Sequence, residues 1–84
     1  MNYATKPLKI GYYAVLREQR GLSEELLESD APTPAALYAS LKAAHGFTLE
    51  ASQLKVAIND AFKPWETPLQ ANDTVVFIPP VAGG

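Results

Sequence analysis

The chain has 84 residues, a net charge of −2 and 48% hydrophobic residues, which fits one small folded domain and excludes a disordered chain. It contains no cysteine, which excludes disulfides, thiolate metal sites and cysteine nucleophiles and suits a cytoplasmic protein. The basic residues are few and scattered, and no apolar segment has the length of a membrane span or secretion signal. We therefore expect neither nucleic acid nor a membrane as a partner.

The first third of the sequence predicts two strands joined by a short helix. We expect residues 1–7 to form a loose leader and residues 8–14 a strand, with Leu8, Ile10 and Tyr12 on one face. Residues 15–20 are predicted to form a short helix that ends at Gly21. Residues 23–29 follow as a second strand, whose glutamates make it a polar edge strand.

The main helix has both of its ends marked in the sequence. Thr33 is the expected N-cap, Pro34 suits the first helical position, and Gly46 suits the position just past the end. Between them, an apolar stripe at helical spacing is predicted to face the core. Its members are Leu37, Tyr38, Leu41 and Ala44.

The second half of the sequence predicts three more strands after a connection at residues 47–54. Residues 55–59 form a short strand, Asn59-Asp60 a turn, and residues 62–65 a brief return strand. Residues 70–73 form another turn, and residues 74–78, which are rich in β-branched and aromatic side chains, form the last strand. The first and last strands are the most apolar, so we expect them to be central neighbours.

This order of elements predicts an α+β roll of the β-grasp, or ubiquitin-like, type, with one main helix on a mixed sheet of four to five strands. Residues 1–84 form a single domain in this interpretation, and residues 79–84 extend from it as a tail. The tail contains two prolines, which end sheet pairing and fix the backbone. It closes on Gly83 and Gly84, which can enter a channel too narrow for other residues.

The sequence shows no catalytic constellation. His45 is the single histidine and is expected to interact with the end of the main helix and with solvent. Asp60, Glu66 and Asp73 are explained by turn chemistry rather than as paired acids, and Trp65 is expected to pack against the hairpin.

The tail and several internal segments resemble the small subunit of molybdopterin synthase, a ubiquitin-like sulfur carrier. The most specific segment is Pro79-Pro80-Val81-Ala82-Gly83-Gly84, and the spacing Ala14-x-x-Arg17-Glu18 is moderately specific. The resemblance covers residues 8–84. Two positions depart from the family: Asn72 stands where a glycine is usual, although asparagine tolerates the left-handed conformation, and Ile78 stands where phenylalanine is frequent.

The resemblance implies that the reactive atom is the carboxyl carbon of Gly84, with Gly83 beside it. An activating enzyme similar to ubiquitin-activating proteins would use ATP to adenylate this carboxylate, and a persulfide donor would convert it to a thiocarboxylate. The carrier would then donate sulfur to a pterin precursor. It would be a non-catalytic subunit without a bound cofactor, and the large synthase subunit would supply the catalytic side chains in a heterotetramer.

The resemblance also implies which residues contact partners. Tyr13, Phe62 and Ile78 match positions that contact the large subunit, and an open apolar patch usually marks an interface; ordinary half-buried sheet residues are the alternative. Arg17 matches an arginine near the surface that docks the activating enzyme, with a local ion pair to Glu18 or another acid as the alternative. The tail residues Pro79, Pro80, Val81 and Ala82 would line the partner's tunnel.

Three other functions remain open at this point. A thiamine-pathway sulfur carrier shares the fold and the Gly-Gly end, but such chains are usually shorter and lack the Pro-Pro pair. A ubiquitin-like modifier would conjugate Gly84 to lysines of target proteins. A passive β-grasp interaction module would not need its terminal glycines.

Overall fold

The computed structural model describes residues 5–80, which contain five strands, two α-helices and one 3-10 turn. In chain order these elements are β1 (Lys6–Tyr12), α1 (Val15–Arg20), β2 (Glu24–Ser29), α2 (Pro34–His45), the 3-10 turn (Ala51–Gln53), β3 (Lys55–Ile58), β4 (Ala61–Phe62) and β5 (Thr74–Ile78).

The five strands form one mixed sheet in the order β2-β1-β5-β3-β4. The inner strands β1 and β5 are parallel neighbours, and every other pairing is antiparallel. This confirms that the first and last strands lie together in the centre. One main helix on a five-stranded mixed sheet in this order is the β-grasp arrangement, which confirms the predicted fold class.

The main helix begins and ends where the sequence predicts. The side chain of Thr33 accepts a hydrogen bond from the backbone N–H of Ala36 at 3.2 Å, and Pro34 occupies the first position, where no donor is needed. Gly46 adopts the left-handed conformation with φ 70°. The buried stripe consists of Pro34, Leu37, Tyr38 and Leu41. Ala44 is exposed, so its assignment to the stripe was wrong, because the buried face turns toward Tyr38 and does not extend to the last turn.

The core between helix and sheet is largely aromatic. The ring of Tyr38 lies 5.1 Å from that of Phe77 and 5.8 Å from that of Phe47, measured between centroids. Trp65 stacks on Phe77 at 6.0 Å with an interplanar angle of 10°, so its packing role is confirmed although it lies beyond β4. The hydroxyl of Tyr38 donates to the carbonyl oxygen of Leu49 at 2.8 Å, which satisfies its polar end.

The first strand starts two residues earlier than predicted, so the expectation of a loose leader over residues 1–7 was wrong for Lys6 and Pro7. Both residues pair with β2. The ammonium of Lys6 donates to the carbonyl oxygen of Ala31 at 2.8 Å, and the carbonyl oxygen of Pro7 accepts from the N–H of Asn72 at 2.7 Å. These bonds hold Lys6 and Pro7 in β1. The sequence offered only the apolar alternation as a signal for this strand, and that alternation begins at Leu8.

The return strand is shorter than predicted and begins one residue earlier. Asn59 and Asp60 have φ of 52° and 71°, the backbone of a tight two-residue hairpin turn. Pairing therefore starts at once, with Ala61 opposite Ile58. Pro64 has no N–H to donate, so the strand does not reach residue 65.

Candidate functional site

The sheet has one face covered by α2 and one open face. Along β5, Val75 and Phe77 are fully buried toward the helix, whereas Val76 and Ile78 are half-buried on the open face. Pairing places Ala57 opposite Val76, and Phe62 opposite Ala57, on this same face. The predicted assignment of β5 side chains to the two faces is confirmed.

The structure brings together the three side chains predicted to contact the large subunit. Tyr13, Phe62 and Ile78 line one shallow depression of about 210 Å³ on the open face; we call these three residues the docking patch. Tyr13 is 54% exposed and Phe62 is 66% exposed. Exposed aromatic side chains gathered in this way are more typical of an interface than of ordinary sheet packing.

A strained turn places Tyr13 at the surface. Ala14 follows it with φ 54° and ψ −127°, a conformation that suits glycine at the second position of a type II′ turn. The N–H of Leu16 donates to the carbonyl oxygen of Tyr13 at 3.1 Å and closes this turn. A non-glycine residue in such a conformation costs about 1–3 kcal/mol. The turn directs the chain from β1 into α1 and leaves the Tyr13 ring exposed.

A second depression continues the docking patch toward the tail. It has a volume of about 330 Å³ and is lined by Phe62 and Ile78 together with Pro79, Pro80, Lys55 and neighbouring residues of the 3-10 turn; we call it the tail groove. Phe62 and Ile78 border both depressions, so patch and groove form one surface. The predicted site residues Val81, Ala82, Gly83 and Gly84 lie outside the described residues, and their roles stay predictions.

The arginine assigned to the activating enzyme lies on α1 and is exposed. Within residues 5–80, Arg17 forms no ion pair, so the alternative of a local pair with Glu18 finds no support there. Its docking role stays a prediction.

An inward-facing ion pair behind β2 is a feature that the sequence analysis missed. The guanidinium of Arg20 donates to both carboxylate oxygens of Glu25, at 2.8 and 2.9 Å, and the Tyr12 hydroxyl donates to the same carboxylate at 2.6 Å. The hydrogen bonds from Arg20, aided by the one from Tyr12, hold the pKa of Glu25 below its usual value. Burial, together with the adjacent carboxylate, raises the pKa of Tyr12 well above the usual tyrosine range.

The available signal for this pair was the alternation within β2. Glu25 and Leu27 are partly buried while Glu24, Leu26 and Glu28 are exposed, so only one of the three glutamates faces inward. The sequence analysis treated all of them as marks of a solvent-exposed edge.

Among the acidic side chains of the turns, Asp73 has the structural role that the sequence predicts. Asp73 is only 8% exposed, and its carboxylate accepts from the backbone N–H of Gln70 at 2.8 Å and from the side-chain amide of Asn59 at 2.9 Å. Asn72 adopts φ 71°, which confirms that it takes the left-handed conformation expected of a glycine substitute. Across residues 5–80, no group of three potential ligands could hold a metal ion, and no helix is long and apolar enough to cross a bilayer.

Sequence comparison finds relatives over nearly the whole chain. The pattern of the ThiS family matches residues 10–84. The chain is 32% identical over 80 residues to the molybdopterin synthase sulfur carrier subunit of Escherichia coli K12 and 36% identical over 81 residues to that of Haemophilus influenzae. Each alignment covers 92% of this chain and 99% of the relative.

Structural comparison finds the same fold in more distant proteins. The HVO 2177 protein of Haloferax volcanii superposes with a TM-score of 0.78 at 26% identity, over 95% of this chain and 88% of that one. In a complex of subunits 1 and 2 of the molybdopterin-converting factor from Helicobacter pylori, one chain superposes with a TM-score of 0.66 at 22% identity, over 93% and 99% of the two chains. A ubiquitin from Caldiarchaeum subterraneum, at 17% identity, gives 0.63 over 96% and 100%.

The last two likenesses concern the fold alone, and they agree with the ubiquitin-like roll described above. The sequence match over residues 10–84 and two relatives above 30% identity go further. The chain therefore belongs to the ThiS family and groups with the molybdopterin synthase sulfur carrier subunits.

Proposed function

We propose that this chain is the small subunit of a molybdopterin synthase and carries sulfur on its terminal carboxyl group, Gly84. The observation that most supports the proposal is the continuity of the docking patch with the tail groove, which is lined by Pro79 and Pro80, the first residues of the segment that ends in sequence at Gly84. A partner bound on the open face would therefore lie beside the start of the tail.

The chemistry begins with activation of the carboxylate, which cannot serve directly as an acyl donor because its leaving group would be oxide. An oxygen of the Gly84 carboxylate attacks the α-phosphorus of ATP on an activating enzyme, pyrophosphate leaves, and an acyl-adenylate forms. The terminal sulfur of a persulfide then attacks the acyl carbon and AMP leaves. Cleavage of the sulfur–sulfur bond by a second thiol releases the thiocarboxylate, whose sulfur is the nucleophile delivered to the pterin precursor.

This chain would contribute the surface that the partners bind and the sulfur nucleophile, and the large subunit would contribute the catalytic side chains. The docking patch would hold the large subunit, as a heterotetramer of two copies of each chain, while the tail reaches its active site. The Helicobacter pylori structure is a complex of subunits 1 and 2 of the molybdopterin-converting factor, and its carrier-like chain has the same fold. Pro79 and Pro80 favour an extended path without internal hydrogen bonds, which suits insertion into a tunnel.

The relatives above 30% identity favour this function over the alternatives. Both are molybdopterin synthase carriers, whereas the ubiquitin neighbour, at 17% identity, supports the fold alone. A protein modifier would use the same adenylation step, so the two functions differ in the later step: a modifier transfers its acyl group to a target lysine, and a carrier transfers sulfur to the pterin precursor.

The proposal is tested by intact-mass measurement after incubation with ATP, the activating enzyme and a persulfide donor. We expect a mass gain equal to the replacement of one oxygen by sulfur, localised to Gly84. The matched control carries one additional residue after Gly84 and should show no gain. An unchanged wild-type mass with partners shown to be active, or an equal gain in the extended control, would contradict the terminal-carboxyl mechanism.

A further inference from the structure

Two lysines border the docking surface without a partner among residues 5–80. The other three, Lys6, Lys9 and Lys42, each lie within 3.7 Å of a carbonyl or carboxylate oxygen. For Lys55 and Lys63 the described residues provide no such oxygen, and both side chains are exposed. Their charges are therefore free to interact with another molecule.

Both lysines lie at the sheet edge where the tail leaves the domain: Lys55 is on the open face, and Lys63, whose backbone N–H donates to the carbonyl oxygen of Val56 at 3.1 Å, directly follows the neighbouring strand β4. Lys55 pairs directly with Ile78 across β3 and β5, so its side chain shares the open face and borders the tail groove beside Pro79 and Pro80. Lys63 follows Phe62, and the two lysines border a common depression of about 290 Å³ with it.

The opposite edge of the open face carries the opposite charge. The pairing of β1 with β2 places Glu24 and Glu28 on this face, and both are exposed. Lys9 lies at this edge but is paired with Glu24 at 3.2 Å. The two edges of the sheet thus differ in charge: Glu24 and Glu28 lie at the β2 edge, and Lys55 and Lys63 lie beside the tail groove, with Asp60 the acidic residue that borders the docking patch between them.

We propose that Lys55 and Lys63 form a basic rim that pairs with carboxylates of the large subunit around the mouth of the channel that receives the tail. The inference rests on the proposed function, because it assumes that the large subunit covers the docking patch. Acidic groups on that partner are the complement that the two lysines select. Charges at the rim of an interface act mainly on the association rate and on the orientation of the partners, so the rim would align the tail with its channel as the subunits meet.

The rim is tested by measuring the association rate of the carrier with the purified large subunit at low and at high salt. The variants are Lys55→Glu, Lys63→Glu and the double variant. The control Lys9→Glu changes the net charge by as much as each single variant does, but at the acidic edge. We expect the double variant to associate roughly tenfold or more slowly at low salt and to lose or invert its salt dependence, because the reversed charges are repelled by an acidic partner. The control Lys9→Glu should stay within about twofold of wild type. Thermal unfolding verifies that all variants are folded.

Three results would overturn the proposal of a basic rim without affecting the proposed function. Wild-type association rates in the double variant would show that the lysines do not contribute to association. Equal slowing by Lys9→Glu would show that net charge acts without regard to position. Loss of the lysine effect in a chain whose terminal carboxylate is blocked as an amide would show that the lysines hold the chain's own carboxylate. A wild-type chain that does not bind the large subunit would overturn the proposed function itself, and the rim with it.

Discussion

Truncation of the most exposed aromatic side chain of the docking patch is the sharpest test of the open face as an interface. Phe62 is 66% exposed, and a phenylalanine side chain offers roughly 200 Å² in full, so about 130 Å² is left for a partner to cover. At about 25 cal/mol per Å² this area corresponds to roughly 3 kcal/mol of binding free energy. We expect Phe62→Ala to weaken binding to the large subunit about 100- to 200-fold.

The same change should have little effect on folding, because most of the Phe62 side chain is already in water in the free carrier. The expected decrease in the free energy of unfolding is at most about 1 kcal/mol. Isothermal titration calorimetry gives the dissociation constant, and urea denaturation gives the free energy of unfolding of the same preparations.

Leu26 provides a matched control on the same face. It is 82% exposed but lies on β2, opposite Lys9 and outside the docking patch. Leu26→Ala should leave the dissociation constant within about twofold of wild type. If both truncations weakened binding equally, exposure alone would explain the effect, and if Phe62→Ala bound as tightly as wild type, the patch would not be the interface.

Two further predictions concern the stability of the domain. The folded-state pKa of Glu25 lies below its unfolded value, so the stabilisation that Glu25 provides is present above about pH 4.3 and is lost as the pH falls through the folded pKa. Glu25→Gln should therefore reduce the fall in the free energy of unfolding toward acid pH, measured by urea denaturation across pH 3–6. An unchanged pH dependence in the variant would refute the assignment. Ala14→Gly should raise the free energy of unfolding by up to about 1 kcal/mol, because glycine adopts the positive φ without strain. The control Ala39→Gly, on the exposed side of α2, should lower the free energy of unfolding by about 1 kcal/mol. A decrease in both variants would contradict the strained turn.

The parts of the fold that the sequence predicts well are those in which a local signal and the tertiary structure agree. Thr33, Pro34 and Gly46 mark the ends of α2 by hydrogen bonding and backbone geometry that involve only neighbouring residues. The alternation of Val75 and Phe77 with half-buried neighbours predicts the two faces of β5 because a strand in a sheet covered on one side has a period of two.

The parts that the sequence does not predict depend on long-range contacts. The pair of Arg20 and Glu25 forms only because β2 folds back along β1. The alternation within β2 separates Glu25 from Glu24 and Glu28 but does not show which face turns inward. The type II′ turn at Ala14 could not be inferred either, since alanine rarely adopts a positive φ. The patch was predicted residue by residue through the family resemblance, but its continuity with the tail groove follows from the register of Lys55 with Ile78, which no sequence pattern indicates.

Strand β5 presents one face to the core and the other to the proposed docking surface, and its alternation keeps the two sets of side chains separate. Val75 and Phe77 are fully buried against the helix, so their truncation would remove core contacts and create cavities. Val76 and Ile78 alternate with them in sequence and lie on the open face. Gly11 allows a close approach there, because a Cβ built on it would lie 3.0 Å from a methyl group of Val76. Substitutions at alternate positions therefore act on different properties, which allows the docking surface to adapt to its partners while the core stays unchanged.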